Sequence, residues 1–177
     1  EAIGPSVVPA SYRAGMSDLI DVRREAESLL RQLLDDSWSF AYDNAKRRAG
    51  ACDYLRKRIT LSRYLAARYD AETNRQTILH EIAHAIAGSA AGHGAEWKRV
   101  ARSLGYTGGV THRGETATEL APWVGVCPAG HVAYRHRKAT RATSCARCAP
   151  TFDERHLITW RRREITAATR REALTPR

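Results

Sequence analysis

The sequence predicts an α+β fold in which packed helices and a few short strands precede a cysteine-bearing hairpin module. Three features predict it. An amphipathic helical stretch carries His80-Glu81-Ile82-Ala83-His84, helical periodicity recurs before and after it, and two short cysteine knuckles lie near the C-terminal end. With 177 residues there is room for one compact domain plus an appendage, and its core is modest.

The first element is a helix from Ser17 to Asp36, with Leu19, Ile20, Leu29, Leu30, Leu33 and Leu34 at helical spacing. It follows the sole methionine, Met16, and residues 1–15 contain Pro and Ser without periodicity. Residues 1–16 are therefore expected to be a leader or an expression-derived segment. Further on, Cys52 lies between Ala51 and Asp53 in an expected strand, with no ordered His partner. A small buried residue is expected there, not a nucleophile.

The central helix is expected to open on a capping box of Thr73 and Gln76 and to close on Gly88. On a helix advancing ~100° per residue, His80, Glu81 and His84 share one face, while Ile78, Leu79, Ile82 and Ile86 fall on the opposite side. This is a zinc-hydrolase layout. Two neutral imidazoles bind Zn²⁺, and Glu81, too far along the helix to ligate the same ion, is left beside the metal-bound water as general base. A chance match to this pattern would usually fall in a loop or an exposed helix, so the capped, amphipathic context argues for function.

Catalytic zinc usually takes three protein ligands. His93 is the expected third, because the glycine-flanked stretch Gly88-Ser89-Ala90-Ala91-Gly92 can turn the chain back to the metal. Gly94-Ala95-Glu96-Trp97 then opens another helix, with Trp97, Val100, Ala101 and Leu104 on its apolar side and Gly105 at its end. Glu96 is the rival ligand, and its ordinary role would be a first-turn carboxylate facing the helix dipole. In the expected mechanism Glu81 takes a proton from zinc-acidified water attacking a peptide carbonyl, then passes it to the leaving amine. Tyr106 and His112, in the loop after that helix, are candidates for stabilising the oxyanion.

His80-Glu81-x-x-His84, a short loop, His93-Gly94-x-x-Trp97 and a helix closing at Leu104-Gly105 resemble the SprT-like metalloproteases, which include the Spartan proteases that degrade proteins crosslinked to DNA. The resemblance covers roughly residues 36–160. It implies a zincin-like arrangement in which Trp38-Ser39-Phe40-Ala41-Tyr42 and Arg58-Ile59-Thr60-Leu61-Ser62 are strands of a small sheet beside the active-site helix. It also implies His80, His84 and His93 as zinc ligands and Glu81 as base.

Cys127-Pro128-Ala129-Gly130-His131 and Cys145-Ala146-Arg147-Cys148 form two knuckles separated by 13 residues. The spacing suits a structural zinc ribbon, with Cys127, His131, Cys145 and Cys148 closing a tetrahedral site that substitutes for a missing core. SprT-like proteins often carry four cysteines here. In this chain Gly130 stands where the second cysteine would be, with His131 one step later, and His136 competes as the fourth ligand. A disulfide between the knuckles is disfavoured because the rest of the chain reads as intracellular.

Charge is uneven. From Cys127 to Arg177 there are twelve Lys and Arg against four Asp and Glu, a net +8 of the formal +10. Arg135, Arg137, Lys138, Arg141 and Arg147 are expected to decorate the ribbon, and Arg161, Arg162, Arg163, Arg170 and Arg171 to follow Trp160 on a C-terminal helix. A focused basic surface attracts a phosphate backbone, and Trp123, Tyr134 and Trp160 could stack on unpaired bases. DNA, single-stranded or with unpaired regions, is the expected partner beside a protein substrate.

The expected domains are a metalloprotease region at 17–121, a ribbon at 122–152 and a basic tail at 153–177. No apolar run approaches the ~18 residues of a membrane span, no signal pattern opens the chain, and a cytoplasmic location is expected. There is no internal repeat and no glycine-rich phosphate loop, so nucleotide hydrolysis has no support. The expected function is DNA-stimulated, zinc-dependent proteolysis of DNA-bound or DNA-crosslinked proteins. Two other functions compete with it. A regulatory metallopeptidase would cut one repressor at one site without needing DNA, and a DNA-binding module with a dead protease site would not require the intact Glu81.

Overall fold

The computed structural model describes residues 18–109 and 116–174, which fall into two compact units, 18–109 and 116–174. Together they hold five α-helices and two three-stranded sheets.

In the first unit, α1 spans Leu19–Leu33. It is shorter than the Ser17–Asp36 expectation at both ends. Asp18 is the N-cap, accepting a hydrogen bond from the Ile20 amide at 2.8 Å, and Asp35 accepts one from the Ser37 amide at 2.9 Å, turning the chain out of the helix. Val22, Ala26, Leu29 and Leu30 are buried, whereas Ile20 is exposed. β1 (Ser39–Asp43), β2 (Gly50–Asp53) and β3 (Arg58–Ser62) form a sheet of order β1-β3-β2, with β1 parallel and β2 antiparallel to β3. Ser62 then caps the short α2 (Arg63–Ala66).

α3 spans Ala71–Ala87 and its N-cap is Asp70, whose carboxylate accepts from the Thr73 amide at 2.7 Å. The N-cap expected at Thr73 thus lies one turn upstream at Asp70, because aspartate caps better than threonine and its charge suits the positive helix end. Gln76 has a different role. Its amide bridges to the loop after α4, accepting from the Thr107 N–H at 2.9 Å and donating to the Gly105 carbonyl at 3.4 Å. Ile78, Leu79 and Ile82 of α3 are buried against α1, Phe40, Ile59 and Leu61, which fixes the apolar side of the helix in the core. Ile86, expected on the same side, is 45% exposed, because it lies beyond that packed layer near the helix end.

α4 (Ala95–Ser103) packs Trp97, Val100 and Ala101 on Ala83 of α3. Two glycines make its approach possible. Gly88 ends α3 at φ +83° and Gly92 sits at φ +49°, values that a side chain would oppose, so the chain reverses within a few residues.

The second unit holds a 3₁₀ turn (Thr118–Leu120), β4 (Trp123–Val126), β5 (Val132–Arg135), β6 (Thr159–Arg162) and a short α5 (Ala167–Glu172). The sheet order is β5-β4-β6, antiparallel throughout. Trp160 through Arg162 therefore lie on a strand, not on the C-terminal helix expected for them, and part of the expected tail completes the second sheet. A lone two-stranded hairpin is marginal in water, and the third strand supplies what the two knuckles lack. Arg163 fastens it by donating to the carbonyls of Ala121, Thr118 and Glu119 at 2.8, 2.9 and 2.8 Å. Among the described residues no helix is long and apolar enough to cross a membrane.

Candidate active site and metal centres

His80 and His84 lie one turn apart on α3, and the Gly88–Gly92 turn returns His93 to them. The Nε2 atom of His93 sits 3.0 Å from that of His84 and 3.1 Å from that of His80. Zinc–nitrogen bonds of ~2.0–2.1 Å in tetrahedral geometry place ligand nitrogens about 3.3 Å apart, so the donor set fits a zinc ion. Burial, and then neighbouring His93, hold His84 below the usual imidazole value, favouring the neutral form that ligation needs. Glu96 is placed elsewhere. Its carboxylate receives the Arg99 guanidinium at 2.6 and 3.0 Å, a pair three residues apart on the same helix.

Glu81 is only 7% exposed, though it follows a histidine that faces the cleft. Burial first raises its carboxyl from 4.5 to about 7, against the pull of Arg48 and with a smaller push from Asp43. Room for it comes from Gly50 on β2, where a Cβ would lie 2.8 Å from the Glu81 Oε1 and Cγ atoms. Sequence reading missed Gly50; a glycine opening a strand was the available signal. Glu81, Gly50, Arg48, Gln76, His80 and Tyr106 are among the residues that line a cavity of about 530 Å³. Tyr106 packs its ring 5.3 Å from that of His80 and donates its hydroxyl to the Gly109 carbonyl at 2.7 Å. His112 lies outside the described residues. Cys52 sits half-buried on β2, and burial, then the Glu81 carboxylate, push its thiol up to about 12, far from a thiolate.

A pH prediction follows for the metal-free protein. Unfolded, Glu81 titrates near 4.5; folded, near 7. A raised carboxyl pKa stabilises the fold fully below the unfolded value, and that stability is lost as pH rises through the folded one. The metal-free chain is therefore expected to lose stability between about pH 4.5 and 7, and Glu81→Gln to abolish that part of the loss. Thermal midpoints of both proteins at acid and alkaline pH test this, and an identical pH response would refute it.

In the second unit, Cys127, His131, Cys145 and Cys148 converge. Cys127 Sγ lies 3.8 Å from Cys148 Sγ, and His131 Nδ1 lies 3.2 Å from Cys148 Sγ and 3.5 Å from Cys145 Sγ. Tetrahedral zinc with sulfur at ~2.3 Å spaces its sulfur ligands about 3.8 Å apart, so this set also fits. His131, not His136, joins it. Burial opposes ionisation of Cys145, but the Arg147 amide, followed by Cys148 and His131, draws its thiol down to about 6. Burial and the neighbouring thiols push Cys148 up to about 12.

The expected nucleic-acid residues divide between two faces of the β5-β4-β6 sheet. The register sets Trp123 opposite Arg135 and Arg162, and Gly125 opposite Ala133 and Trp160, so these side chains share one face. Arg135 stands 5.0 Å over the Trp160 ring, and Lys138, in the loop after β5 with Arg137 and Arg141, stands 5.9 Å over Trp123. Tyr134 faces the other way, with Val124 and Arg161, and the Arg163 guanidinium lies 5.0 Å over its ring. Tyr134 and Trp160 thus do not form one stacking surface.

A model of the SprT-like family matches residues 22–118, more than half of the chain. The chain belongs to the SprT-like family. That membership implies a metalloprotease-like domain, and the convergent histidines of this SprT-like chain lie inside the matched span. Comparison with curated proteins and with solved structures returns no match.

Proposed function

We propose that this SprT-like chain is a zinc-dependent endopeptidase that acts on DNA-bound or DNA-crosslinked proteins and is stimulated by DNA. The observation that carries the proposal is the convergence of three imidazole nitrogens beside a buried carboxylate in one cleft. His80, His84 and His93 would hold the ion. A zinc ion bound there supplies Lewis acidity to water and to a peptide carbonyl. Glu81, stripped of solvent on its β2 side, is a stronger base than an exposed carboxylate and takes the water proton. It then hands that proton to the leaving amine nitrogen.

The DNA half of the proposal rests on the ribbon. Its net +8 between Cys127 and Arg177 leaves about +2 for the other 126 residues, and the Trp123–Arg135–Trp160 face alternates cations with flat rings. Such a face binds the backbone by charge and unpaired bases by stacking. Not every arginine of this segment is offered to a ligand, since Arg163 is held by backbone carbonyls and the exposed Arg155 pairs with Asp153.

The test is digestion of a DNA-binding protein by zinc-loaded enzyme, with and without single-stranded DNA. Fragmentation at several sites that requires DNA is expected. A single DNA-independent cut would instead favour a regulatory peptidase, and no cleavage would refute the enzyme.

A prediction separates the two faces. Trp160→Ala should weaken single-stranded DNA binding by ~1–3 kcal/mol if one base stacks there. Replacing Arg135, Arg137 and Arg141 together should lower the salt slope by ~0.7 for each phosphate that is no longer neutralised. Binding titrations across salt concentrations measure both. Weakened binding with Tyr134→Ala but not with Trp160→Ala would put DNA on the opposite face.

A further inference from the structure

We infer that Trp97 is a positioning residue for the three-histidine site, fixing the three imidazole rings and so setting how tightly the site holds its zinc. The inference rests on the zinc reading above and extends it to a residue that touches neither ion nor substrate.

The geometry is specific. Trp97 lies on the first turn of α4, and its ring centroid is 4.8 Å from that of His80, 5.3 Å from His84 and 4.7 Å from His93. Interplanar angles of 61°, 32° and 89° show one indole meeting the three rings in three orientations. It is 2% exposed and packs with Ala83, Val100 and Ala101, so it has little freedom of its own.

A ligating histidine is ordinarily oriented by a hydrogen bond from its other ring nitrogen to a carboxylate or carbonyl. Among the described residues, the only hydrogen-bonding contacts made by the His84 and His93 rings are those between Nε2 atoms. The imidazole χ2 torsion is intrinsically broad, so something else must hold these rings. Among the described residues Trp97 is the side chain outside the three histidines whose ring packs on both of these and on His80 as well.

A second observation separates this role from ordinary packing. The buried Nε1–H of Trp97 has no hydrogen-bond partner among the described residues. A core position needing only apolar bulk is served by Phe without an unpaired donor, whereas the larger indole reaches three rings at once.

The test measures zinc affinity of the full-length chain by chelator competition, with His80→Ala identifying which of the two zinc sites is being read. Trp97→Phe should weaken the histidine site ~10-fold and Trp97→Leu ~100-fold, the range seen when support behind a ligand is removed. The ribbon site of the same molecules should be unchanged. The metal-free thermal midpoint of Trp97→Phe should stay near wild type, because the poorer packing is offset by removal of an unpaired donor. Wild-type affinity in both variants would overturn the inference while leaving the zinc reading intact. A fall in metal-free stability that tracks the fall in affinity would also overturn it, by making Trp97 a packing residue only. Wild-type protein showing no zinc binding sensitive to His80→Ala would overturn the zinc reading itself and the inference with it.

Discussion

Glu81→Gln is expected to keep both zinc ions and the fold while lowering peptide hydrolysis by ~10²- to 10⁴-fold or more, the usual cost of removing a general base. The substitution is nearly isosteric, so the close fit against Gly50 survives. It also puts a neutral group where burial already disfavours charge, so no desolvation penalty is added. An amide cannot accept the water proton, and that change alone reaches the chemistry. Initial rates set beside elemental analysis of the same preparation make the measurement. A wild-type rate with full zinc would remove Glu81 from the mechanism, and loss of zinc along with rate would make it a ligand.

The parts of this site that were legible in the sequence are those fixed by local geometry. His80 and His84 must share a helix face whatever the tertiary structure does, and Gly88 and Gly92 signal a reversal that can return His93 to them. Competition between His93 and Glu96 was not decidable from spacing. In the structure Arg99, three residues from Glu96, takes its carboxylate, while His93 lies against His80 and His84. Where two good caps lie close together, as with Asp70 and Thr73, composition alone does not say which amide each will satisfy. Ile86 shows the limit of a helical wheel, which gives the direction of a side chain and not the extent of the layer it meets.

The second unit was harder to read, for a different reason. A run such as Trp160-Arg161-Arg162-Arg163 has no apolar alternation, so it offers a strand no signal, and arginine favours helices. Pairing with β4 overrides that propensity, and it turns Trp160 and Arg163 to opposite sides. Trp160 comes to lie under Arg135 on the face it shares with Trp123. Arg163 becomes a clasp on the 3₁₀ turn. Counting charges treats Arg162 and Arg163 alike, and only the register distinguishes a cation exposed to solvent from one held by backbone carbonyls.

Cys145→Ser is expected to unfold the second unit while leaving the first folded and holding its own zinc. The apolar residues buried in that unit are few and mostly small: Ala117, Leu120, Ala121, Val124 and Ala173, beside the two buried thiols of Cys127 and Cys145. So few buried apolar side chains do not order a unit of this length without a further source of stability. A structural zinc contributes ~10–16 kcal/mol to folding, and removing one thiolate leaves three ligands where the tetrahedral site needs four. Zinc should fall from two per chain to one, matching the two ligand groups. Near-UV dichroism from Trp123 and Trp160 should collapse, and DNA affinity should go with it because the register that puts Arg135 over Trp160 is abolished. Hydrolysis of a small unstructured peptide should persist, since His80, Glu81, His84 and His93 all lie in the other unit. A zinc content of one in the wild type that survives Cys145→Ser unchanged would remove the ribbon ion, and the stability of the second unit would then have to come from contacts that its sparse core does not contain.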